Sequence, residues 1–326
     1  MPIAITTKVS QLKFRFPFRT SHGERTGTDT VLVRVDYKNH VGYGEATLPP
    51  YLDDNVNSVL EFFQLPELAR IEFPFNPEEV FDFIHAMHPS CMPGKAALDM
   101  ALWQLYASLN NTDVGSILML DRRLRTLNTY TIGVGSPHDM KTKLEFGLAS
   151  GFEFFKLKLD GANDQDVLDA YLSMSGWPFA VDVNQGWSDV SNAVQFSKTL
   201  EKKGCVLIEQ PFHKDDREKS AMLKHEINIP IIADEACQTL KDLETCADSF
   251  DGINVKLQKC GGITPAIRII RQARLMNLKV LIGCMSESSI GCNAAKALEP
   301  ICDWADLDGP FLISNNEQIV ETIKKK

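Results

Sequence analysis

Three carboxylates recur at a regular interval in the second half of the chain, each at the end of a short apolar run. The runs are Phe179-Ala-Val-Asp182, Val206-Leu-Ile-Glu209 and Ile231-Ile-Ala-Asp234, which place consecutive acids 27 and 25 residues apart. Neighbouring parallel strands lie about 4.8 Å apart, so side chains from three strand ends can converge on one point. Three carboxylates there would repel one another unless a hard divalent cation bound between them, and all-oxygen ligands favour Mg²⁺ over zinc. Asp182, Glu209 and Asp234 are therefore the candidate metal ligands; the alternative is that each acid caps the helix after its strand.

Lysines occur in two further apolar runs. Lys156-Leu-Lys158 precedes the first acid by one unit, and alternate residues of a strand share a face, so the two ammonium groups point the same way. If that face is buried, like charge and desolvation lower the pKa of a lysine and make a neutral base available near pH 7. The run Asn254-Val-Lys256-Leu-Gln258 is polar along its alternating face. Lys158 and Lys256 are the candidate bases; the alternatives are solvated lysines on an edge strand and, for Lys256, an outward orientation between helices.

A further acidic pair, Asp306-Leu-Asp308, ends the last apolar run. The two acids share a strand face and could accept a substrate ammonium group. They could instead cap the turn at Gly309-Pro310, and the sequence favours neither interpretation.

These residues together indicate one kind of chemistry. A proton next to a carboxylate is very weakly acidic, and a metal ion on the carboxylate oxygens stabilises the charge that develops as the proton leaves. A base on one face permits abstraction, and a second base on the opposite face permits return with inverted configuration. Two bases predict epimerisation, whereas one base predicts elimination or cycloisomerisation.

The elements that must position these side chains follow a repeat. From about residue 125 onward, eight apolar runs recur roughly every 25 residues, most of them separated by helical patterns such as Asp164–Ser175 and Ser191–Lys203. The runs are Leu127–Val134, Phe154–Leu159, Phe179–Asn184, Cys205–Gln210, Ile229–Asp234, Ile253–Leu257, Val280–Cys284 and Trp304–Leu307. Alternating strands and helices predict parallel strands, and eight units predict a (β/α) barrel in which the second and sixth strands are opposite each other. A doubly wound open sheet is the alternative.

The first 110 or so residues have a different, α+β pattern. Thr30–Val35 and Val41–Glu45 predict a β-hairpin turned at residues 38–40, and helical patterns follow at about 54–64, 77–87 and 94–109. The last of these is rich in alanine, which predicts close packing against a neighbour.

Composition narrows the class of protein. The 326 residues are 44% hydrophobic and carry a net charge of −9 with a pI of about 5.3, which argues against nucleic acid as a partner. The eight cysteines include no CxxC pair and predict free thiols in a reducing compartment. Neither a signal peptide nor a membrane-length apolar run is evident, so we expect a cytoplasmic protein. A homo-oligomer is compatible with the sequence.

The ordered motifs resemble the enolase superfamily, specifically its muconate-lactonising-enzyme subgroup. The resemblance extends over nearly the whole chain and rests on Lys156-Leu-Lys158, Asp182-Val-Asn184, Glu209-Gln-Pro211, Asp234-Glu235 and Lys256-Leu-Gln-Lys-Cys-Gly-Gly262. It implies an α/β fold with a (β/α)7β modified TIM barrel in residues 116–309. It also implies an α+β capping domain in residues 1–115 and a C-terminal segment, 310–326, that returns to this domain. A substrate-closing loop is expected at about 18–28.

Within the subgroup, Asp306-Leu-Asp308 resembles the Asp-x-Asp of dipeptide epimerases, where the pair binds the amino terminus of the dipeptide. The resemblance implies that Lys158 and Lys256 each handle the proton of one epimer and that Lys156 contacts the substrate carboxylate. Two further substrate contacts follow from it, at Thr131 and at Arg25. The position of Arg25 is similar to the one that receives the glutamate side chain in Ala-Glu epimerases, although a solvated loop arginine is the alternative.

The predicted function is therefore Mg²⁺-assisted epimerisation of a dipeptide such as L-Ala-D/L-Glu. Cys284 departs from relatives that carry serine in the seventh run; we expect it to line the site. The nearest alternatives are N-acylamino-acid racemisation and o-succinylbenzoate synthesis, whose substrates lack a free ammonium group. Alternatives from other classes are an aldolase-type barrel with a Schiff-base lysine and a non-catalytic binding protein.

Overall fold

The N-terminal region forms a three-stranded antiparallel sheet in the order β1-β2-β3. The computed structural model describes residues 3–20, 23–48, 52–120 and 126–325, and the strands are β1 (Ala4–Thr20), β2 (Gly23–Tyr37) and β3 (His40–Thr47). The predicted hairpin is confirmed as β2–β3, with Lys38 at its turn in the left-handed region at φ 53°. The sequence pattern did not predict strand β1. Of the substrate-closing loop expected at about 18–28, residues 18–20 and 23–28 belong to β1 and β2, and residues 21 and 22 lie outside the described part of the chain.

In the described part of this region the helices are α1 (Val56–Phe62), α2 (Pro77–Met87), α3 (Met92–Leu109) and α4 (Val114–Ile117), with a 3₁₀ turn at Pro66–Arg70. Helix α3 packs very closely on β3, as its alanines predict. An added Cβ at Gly42 or Gly44 would collide with the carbonyl oxygens of Ala101 and Ala97, so the contact requires glycine on the strand. This helix is also where the cap meets the barrel.

The second region is a closed parallel barrel. Its strands are β4 (Leu127–Asn128), β5 (Tyr130–Ile132), β6 (Phe155–Lys158), β7 (Phe179–Asp182), β8 (Cys205–Glu209), β9 (Ile231–Ala233), β10 (Gly252–Lys256), β11 (Lys279–Gly283) and β12 (Trp304–Asp306). The order is β4-β12-β11-β10-β9-β8-β7-β6-β5. Strands β4 and β5 are two halves of the first predicted run; β4 pairs with β12 and β5 pairs with β6, which closes the ring. The barrel is thus confirmed over the open sheet, with β6 and β10 as its second and sixth strands.

Helices cover the outside of the barrel. They are α5 (Pro137–Ala149), α6 (Asp164–Met174), α7 (Val190–Lys202), α8 (Arg217–Glu226), α9 (Leu243–Ser249), α10 (Leu257–Cys260), α11 (Ile263–Leu275) and α12 (Ser289–Lys296), with 3₁₀ turns at Leu240–Asp242 and Glu299–Ile301. Two further helices, α13 (Gly309–Leu312) and α14 (Asn316–Lys324), follow the last strand. Among the described residues, no helix has both the length and the apolar character needed to cross a membrane.

The last helix leaves the barrel and packs on the N-terminal sheet. Lys8 Nζ donates to the carbonyl of Thr322 at 3.3 Å, and Arg34 Nη1 donates to that of Lys324 at 2.9 Å. The eighth strand therefore has no covering helix of its own, which is the (β/α)7β arrangement. We propose the boundaries 1–115, 116–309 and 310–326 for the cap, the barrel and the returning segment.

Candidate active site

The polar site lies directly above an apolar layer inside the barrel. Alternate residues of a strand point to the same side, so a residue two positions after a buried apolar residue occupies the next layer up. The apolar layer consists of Phe154, Ala180, Leu207, Ile232 and Leu281. The residues two positions after the first four members of this layer are, in order, Lys156, Asp182, Glu209 and Asp234. The strand period therefore brings the predicted lysine and all three predicted carboxylates into one buried layer at the carboxyl ends of the strands.

The three carboxylates do not cap the helices that follow them. The N-cap residues of α7, α8 and α9 are Asp189, Asp216 and Asp242 respectively. Asp182, Glu209 and Asp234 instead face inward and are at most 3% exposed. The helix-capping alternative is therefore wrong for all three.

Lys158 forms an ion pair with the first of these acids. Its Nζ lies 2.5 Å from Asp182 Oδ2, and the backbone N–H of Asn184 donates to Asp182 Oδ1 at 2.9 Å. Strand register places the two residues side by side, since Lys158 pairs with Asp182. Lys158 is 7% exposed, so it is not a solvated lysine on an edge strand.

Lys156 bridges carboxylates from three strands. Its Nζ donates to Glu209 Oε2 at 3.1 Å, forms a short ion pair with Asp306 Oδ2 and lies 3.6 Å from Asp182 Oδ2. Burial alone lowers the pKa of Lys156, but the charges of Asp306, Glu209 and Asp182 outweigh burial and hold that pKa well above its usual value. The expectation that two crowded lysines would each have a lowered pKa is wrong for Lys156, because carboxylates surround it.

On the opposite side of the barrel, two lysines share one carboxylate. Lys256 Nζ lies 2.6 Å from Asp234 Oδ2, and Lys259 Nζ lies 2.6 Å from Asp234 Oδ1. Burial raises the pKa of Asp234, but Lys256 and Lys259 together lower it to well below the usual range. Lys256 is 7% exposed and points inward, so its predicted outward alternative is wrong. Lys259 was present in the sequence motif but was assigned no role; its spacing of three from Lys256 was the available signal.

Two carboxyl groups of the site have a raised pKa although buried ammonium groups lie nearby. Burial, followed by the charge of Asp182, raises the pKa of Glu209. Burial, followed by the charge of Asp234, raises the pKa of Glu235 to about 8, and Glu235 Oε2 is buried without a hydrogen-bond partner. An orphaned carboxylate oxygen beside other oxygen donors fits a hard cation.

The carboxylates are, however, not preassembled around an ion. Within the described ranges, no three His, Cys, Asp or Glu side chains are grouped closely enough to hold a metal ion. Lys158 and Lys256 bind the Oδ2 atoms of Asp182 and Asp234 respectively, and an ionised carboxylate keeps further lone pairs that a cation can use. Asp182, Glu209 and Asp234 thus fit Mg²⁺ by their chemistry, and their role as ligands stays a prediction.

The acidic pair of the eighth strand is buried beside the same cluster, since Asp306 forms an ion pair with Lys156. Thr129 Oγ1 donates to Asp306 Oδ1 at 2.5 Å, and the backbone N–H of Thr131 donates to Asp308 Oδ2 at 2.6 Å. Burial, and then the charge of Asp306, raise the pKa of Asp308 to about 7. Asp308 precedes α13, but its side chain makes no capping hydrogen bond there, which disfavours the capping alternative. Thr131 therefore holds Asp308 through its backbone.

Cys284 lies beside this pair, and its backbone N–H donates to the carbonyl of Asp306 at 3.0 Å. Its thiol is buried, and all eight cysteines of the chain are free. Arg25 lies on strand β2, where its guanidinium carbon is 5.7 Å from the ring centroid of Phe14. The structure thus places Cys284 next to the acidic pair and Arg25 on the cap ribbon.

Among the buried carboxylates of the cap, Glu45 is one that the sequence did not identify. Glu45, at the end of β3, accepts hydrogen bonds from Ser288 Oγ at 2.6 Å and from the backbone N–H of Gly291 at 3.1 Å, both at the start of α12. Gln258 Nε2 donates to the Glu45 carbonyl at 2.8 Å and to Glu287 Oε2 at 3.1 Å. The polar face of the sixth predicted run therefore ends in a residue that joins barrel and cap.

Comparison with known proteins gives consistent matches. A family model described as "Enolase C-terminal domain-like" matches residues 139–305. The L-Ala-D/L-Glu epimerase of Bacteroides thetaiotaomicron is 36% identical over 306 residues, which cover 94% of this chain and 80% of that protein. The L-Ala-D/L-amino acid epimerase of a Maribacter species is 32% identical over 317 residues, covering 96% and 91% of the two chains.

Solved structures agree with this. A substrate-liganded L-Ala-D/L-Glu epimerase from Bacillus subtilis is 27% identical with a TM-score of 0.89, covering 97% of this chain and 92% of that one. A dipeptide epimerase from Enterococcus faecalis, complexed with Mg and L-Leu-L-Tyr, is 27% identical with a TM-score of 0.88, covering 96% and 92%.

Proposed function

We propose that this chain, which belongs to the enolase superfamily, is a dipeptide epimerase. The observation that carries the proposal is the pair of buried lysines, Lys158 and Lys256, on strands β6 and β10 at opposite sides of the barrel. A binding protein needs no such pair, whereas inversion at a carbon needs a proton donor and a proton acceptor on opposite faces. The names of the relatives support the same reaction.

We propose that Asp182, Glu209 and Asp234 hold Mg²⁺. The orphaned Glu235 oxygen and the raised pKa of Glu209 support a cation at this position, and the Enterococcus faecalis relative is complexed with Mg. When bound, the ion would stabilise negative charge on the substrate carboxylate as the neighbouring proton leaves.

Lys158 and Lys256 perform the proton transfers. One removes the α-proton of the second residue, and the other delivers a proton to the opposite face of the same carbon. In the structure each lysine is bound to a carboxylate. Lys158 Nζ lies 2.5 Å from Asp182 Oδ2, and Lys256 Nζ lies 2.6 Å from Asp234 Oδ2. Substrate must therefore bind with a shift of both side chains away from these acids.

The contacts of Asp306 indicate how a bound substrate can free Lys156 from its ion pair. Thr129 fixes Asp306 Oδ1, while Asp306 Oδ2 binds Lys156. The ammonium group of a dipeptide can take the place of Lys156 on Oδ2, which exchanges one cation for another without leaving a buried charge unpaired. Lys156 is then available to the substrate carboxylate, and Asp308 supplies a second acceptor for the ammonium.

The Asp306–Asp308 pair favours a dipeptide over N-acylated amino acids, which lack this ammonium group. The Bacillus cereus N-succinyl Arg/Lys racemase structure is 24% identical and supports the fold alone. We propose L-Ala-D/L-Glu as the substrate, with Arg25, Thr131 and Cys284 as further contacts. An arginine guanidinium suits the glutamate carboxylate. We also propose a cytoplasmic location, supported by eight free thiols.

The test is incubation with a dipeptide library in D₂O containing Mg²⁺, followed by mass spectrometry and stereochemical analysis. We expect deuterium at the α-carbon of the second residue together with inversion, most rapidly for Ala-Glu. Absence of deuterium at every α-carbon would refute epimerisation. Borohydride trapping of a lysine with a carbonyl substrate would instead support an aldolase-type barrel.

A further inference from the structure

Lys259 is a fully buried ammonium group that the proposed reaction does not use. It lies on the short helix α10, is 3% exposed and donates to four oxygens. These are Asp234 Oδ1 at 2.6 Å, the Asp234 carbonyl at 2.7 Å, the Asn254 carbonyl at 2.8 Å and the Cys237 carbonyl at 3.0 Å. An ammonium has three protons, so these acceptors saturate it. Lys259 is therefore fixed in place, with no donor left for substrate.

Asp182 and Asp234, which bind the two proposed bases, differ in the group that contacts their second oxygen. Asp182 binds Lys158 through Oδ2, while a neutral backbone N–H occupies its Oδ1. Asp234 binds Lys256 through Oδ2, while the charged Lys259 occupies its Oδ1. In the described part of the chain, Asp234 is the one carboxylate that forms an ion pair with Lys259. Lys156, the second ammonium near Asp182, divides its contacts with two other acids.

This difference matters because Lys256 must leave Asp234 to reach a substrate. A buried carboxylate with a single counter-ion holds that ion strongly, since the interior screens their attraction poorly. A second, immobile ammonium on the same carboxylate shares its charge and repels the first. It also fixes the orientation of Asp234, so Oδ2 stays directed at Lys256.

We propose that Lys259 is a positioning residue for proton transfer by Lys256. It holds Asp234 by one oxygen and shares its charge, which leaves Lys256 able to exchange between Asp234 and the substrate. The inference rests on the proposed function. It predicts a one-sided effect: Lys259 acts on the face of the substrate served by Lys256 and not on the face served by Lys158.

The test measures α-proton exchange separately from each pure epimer of Ala-Glu in D₂O at saturating Mg²⁺. The Lys256→Met variant identifies which epimer reports on Lys256. In Lys259→Met we expect exchange on that face to slow about tenfold or more, while the Lys158 face changes by less than about threefold. Lys259→Gln keeps a hydrogen-bond donor without the charge, so it tests the same expectation with less disturbance of the fold. Lys259→Arg keeps the charge and should retain a ratio of the two faces close to that of the unaltered enzyme.

Calorimetric titration with MgCl₂ provides a readout that does not depend on turnover. Removing a positive charge from Asp234 should leave Mg²⁺ affinity unchanged or higher in Lys259→Gln. Equal slowing of both faces, together with weaker Mg²⁺ binding, would show that Lys259 merely supports the metal site and would overturn the proposal. The ratio of the exchange rates on the two faces should change in Lys259→Gln but not in Lys259→Arg. An equal change of this ratio in both variants would also overturn the proposal, because the charge of Lys259 would then be irrelevant. If the unaltered enzyme exchanges neither epimer, the proposed function itself fails, and the role of Lys259 fails with it.

Discussion

Asp99 joins the cap to the barrel. Its buried carboxyl group destabilises the folded state when it ionises as the pH rises. Asp99 lies on α3, is 2% exposed and accepts hydrogen bonds from the backbone N–H of Thr264 at 2.9 Å and from its hydroxyl at 2.7 Å. These contacts cap the start of α11, where Gly262 has no side chain to do so; a Cβ on Gly262 would collide with the carboxylate. Burial nevertheless dominates and raises the pKa of Asp99 from 3.8 to about 7.

The direction of the effect follows from linkage. The folded state binds this proton more tightly than the unfolded state, so the contribution of Asp99 to stability is complete below pH 3.8 and is lost as the pH rises to about 7. Between pH 5 and pH 8 the loss is about 3 kcal/mol, at 1.36 kcal/mol for each unit of pKa. Asp99→Asn has a similar shape but does not titrate, so it should lack this loss.

The assay is urea-induced unfolding of both proteins at several pH values from 5 to 8. The free energy of unfolding of Asp99→Asn, relative to the unaltered protein, should rise by about 3 kcal/mol across this range. Other buried acids titrate in both proteins and cancel in the difference. A difference that is independent of pH would refute the reasoning, because Asp99 would then titrate alike in the folded and unfolded states.

Three predictions concern activity. Lys158→Ala should abolish epimerisation but retain slow α-proton exchange from one epimer through Lys256; unchanged exchange from both epimers would show that the bases are wrongly assigned. Arg25→Ala should raise KM for dipeptides with an acidic second residue about tenfold and leave Ala-Leu as an unaffected control, whereas a uniform loss would indicate a structural role. Because the pKa of Asp308 is about 7, its carboxyl is protonated at lower pH and binds an ammonium group poorly. In a steady-state pH series, KM should therefore fall as the pH rises from 6 to about 7, below the range in which the substrate amine loses its proton, and Asp308→Asn should lose that dependence.

Much of the site could be predicted because strand geometry is simple. Carboxyl ends of parallel strands meet at one edge, and alternate residues share a face, so the spacing of Asp182, Glu209 and Asp234 was sufficient to bring them together. The same rule placed Lys158 and Lys256 on opposite strands once eight units had been recognised. The division of the first strand around Thr129 was not predicted, because one continuous apolar run spans both halves.

Other features depend on contacts that are distant in the sequence. The pairing of Lys156 with Asp306 joins strands 150 residues apart, and the pairing of Glu45 with Ser288 joins the cap to α12 over 243 residues. The pKa of Lys156 was expected to be lowered, but three facing carboxylates raise it. Strand β1 was missed because it is an edge strand of the cap sheet, in which most alternate residues are exposed and the apolar signal is weak.

Exchange of the α-proton from each pure epimer tests the two-base proposal most directly. The unaltered enzyme would be incubated with L-Ala-L-Glu and, separately, with L-Ala-D-Glu in D₂O containing Mg²⁺, and the α-proton of the second residue would be followed by proton NMR. Opposed lysines predict that both epimers lose this proton signal and that each converts to the other with deuterium at the inverted carbon. Loss of the proton from one epimer alone, or inversion without deuterium incorporation, would contradict proton transfer by Lys158 and Lys256 on opposite faces.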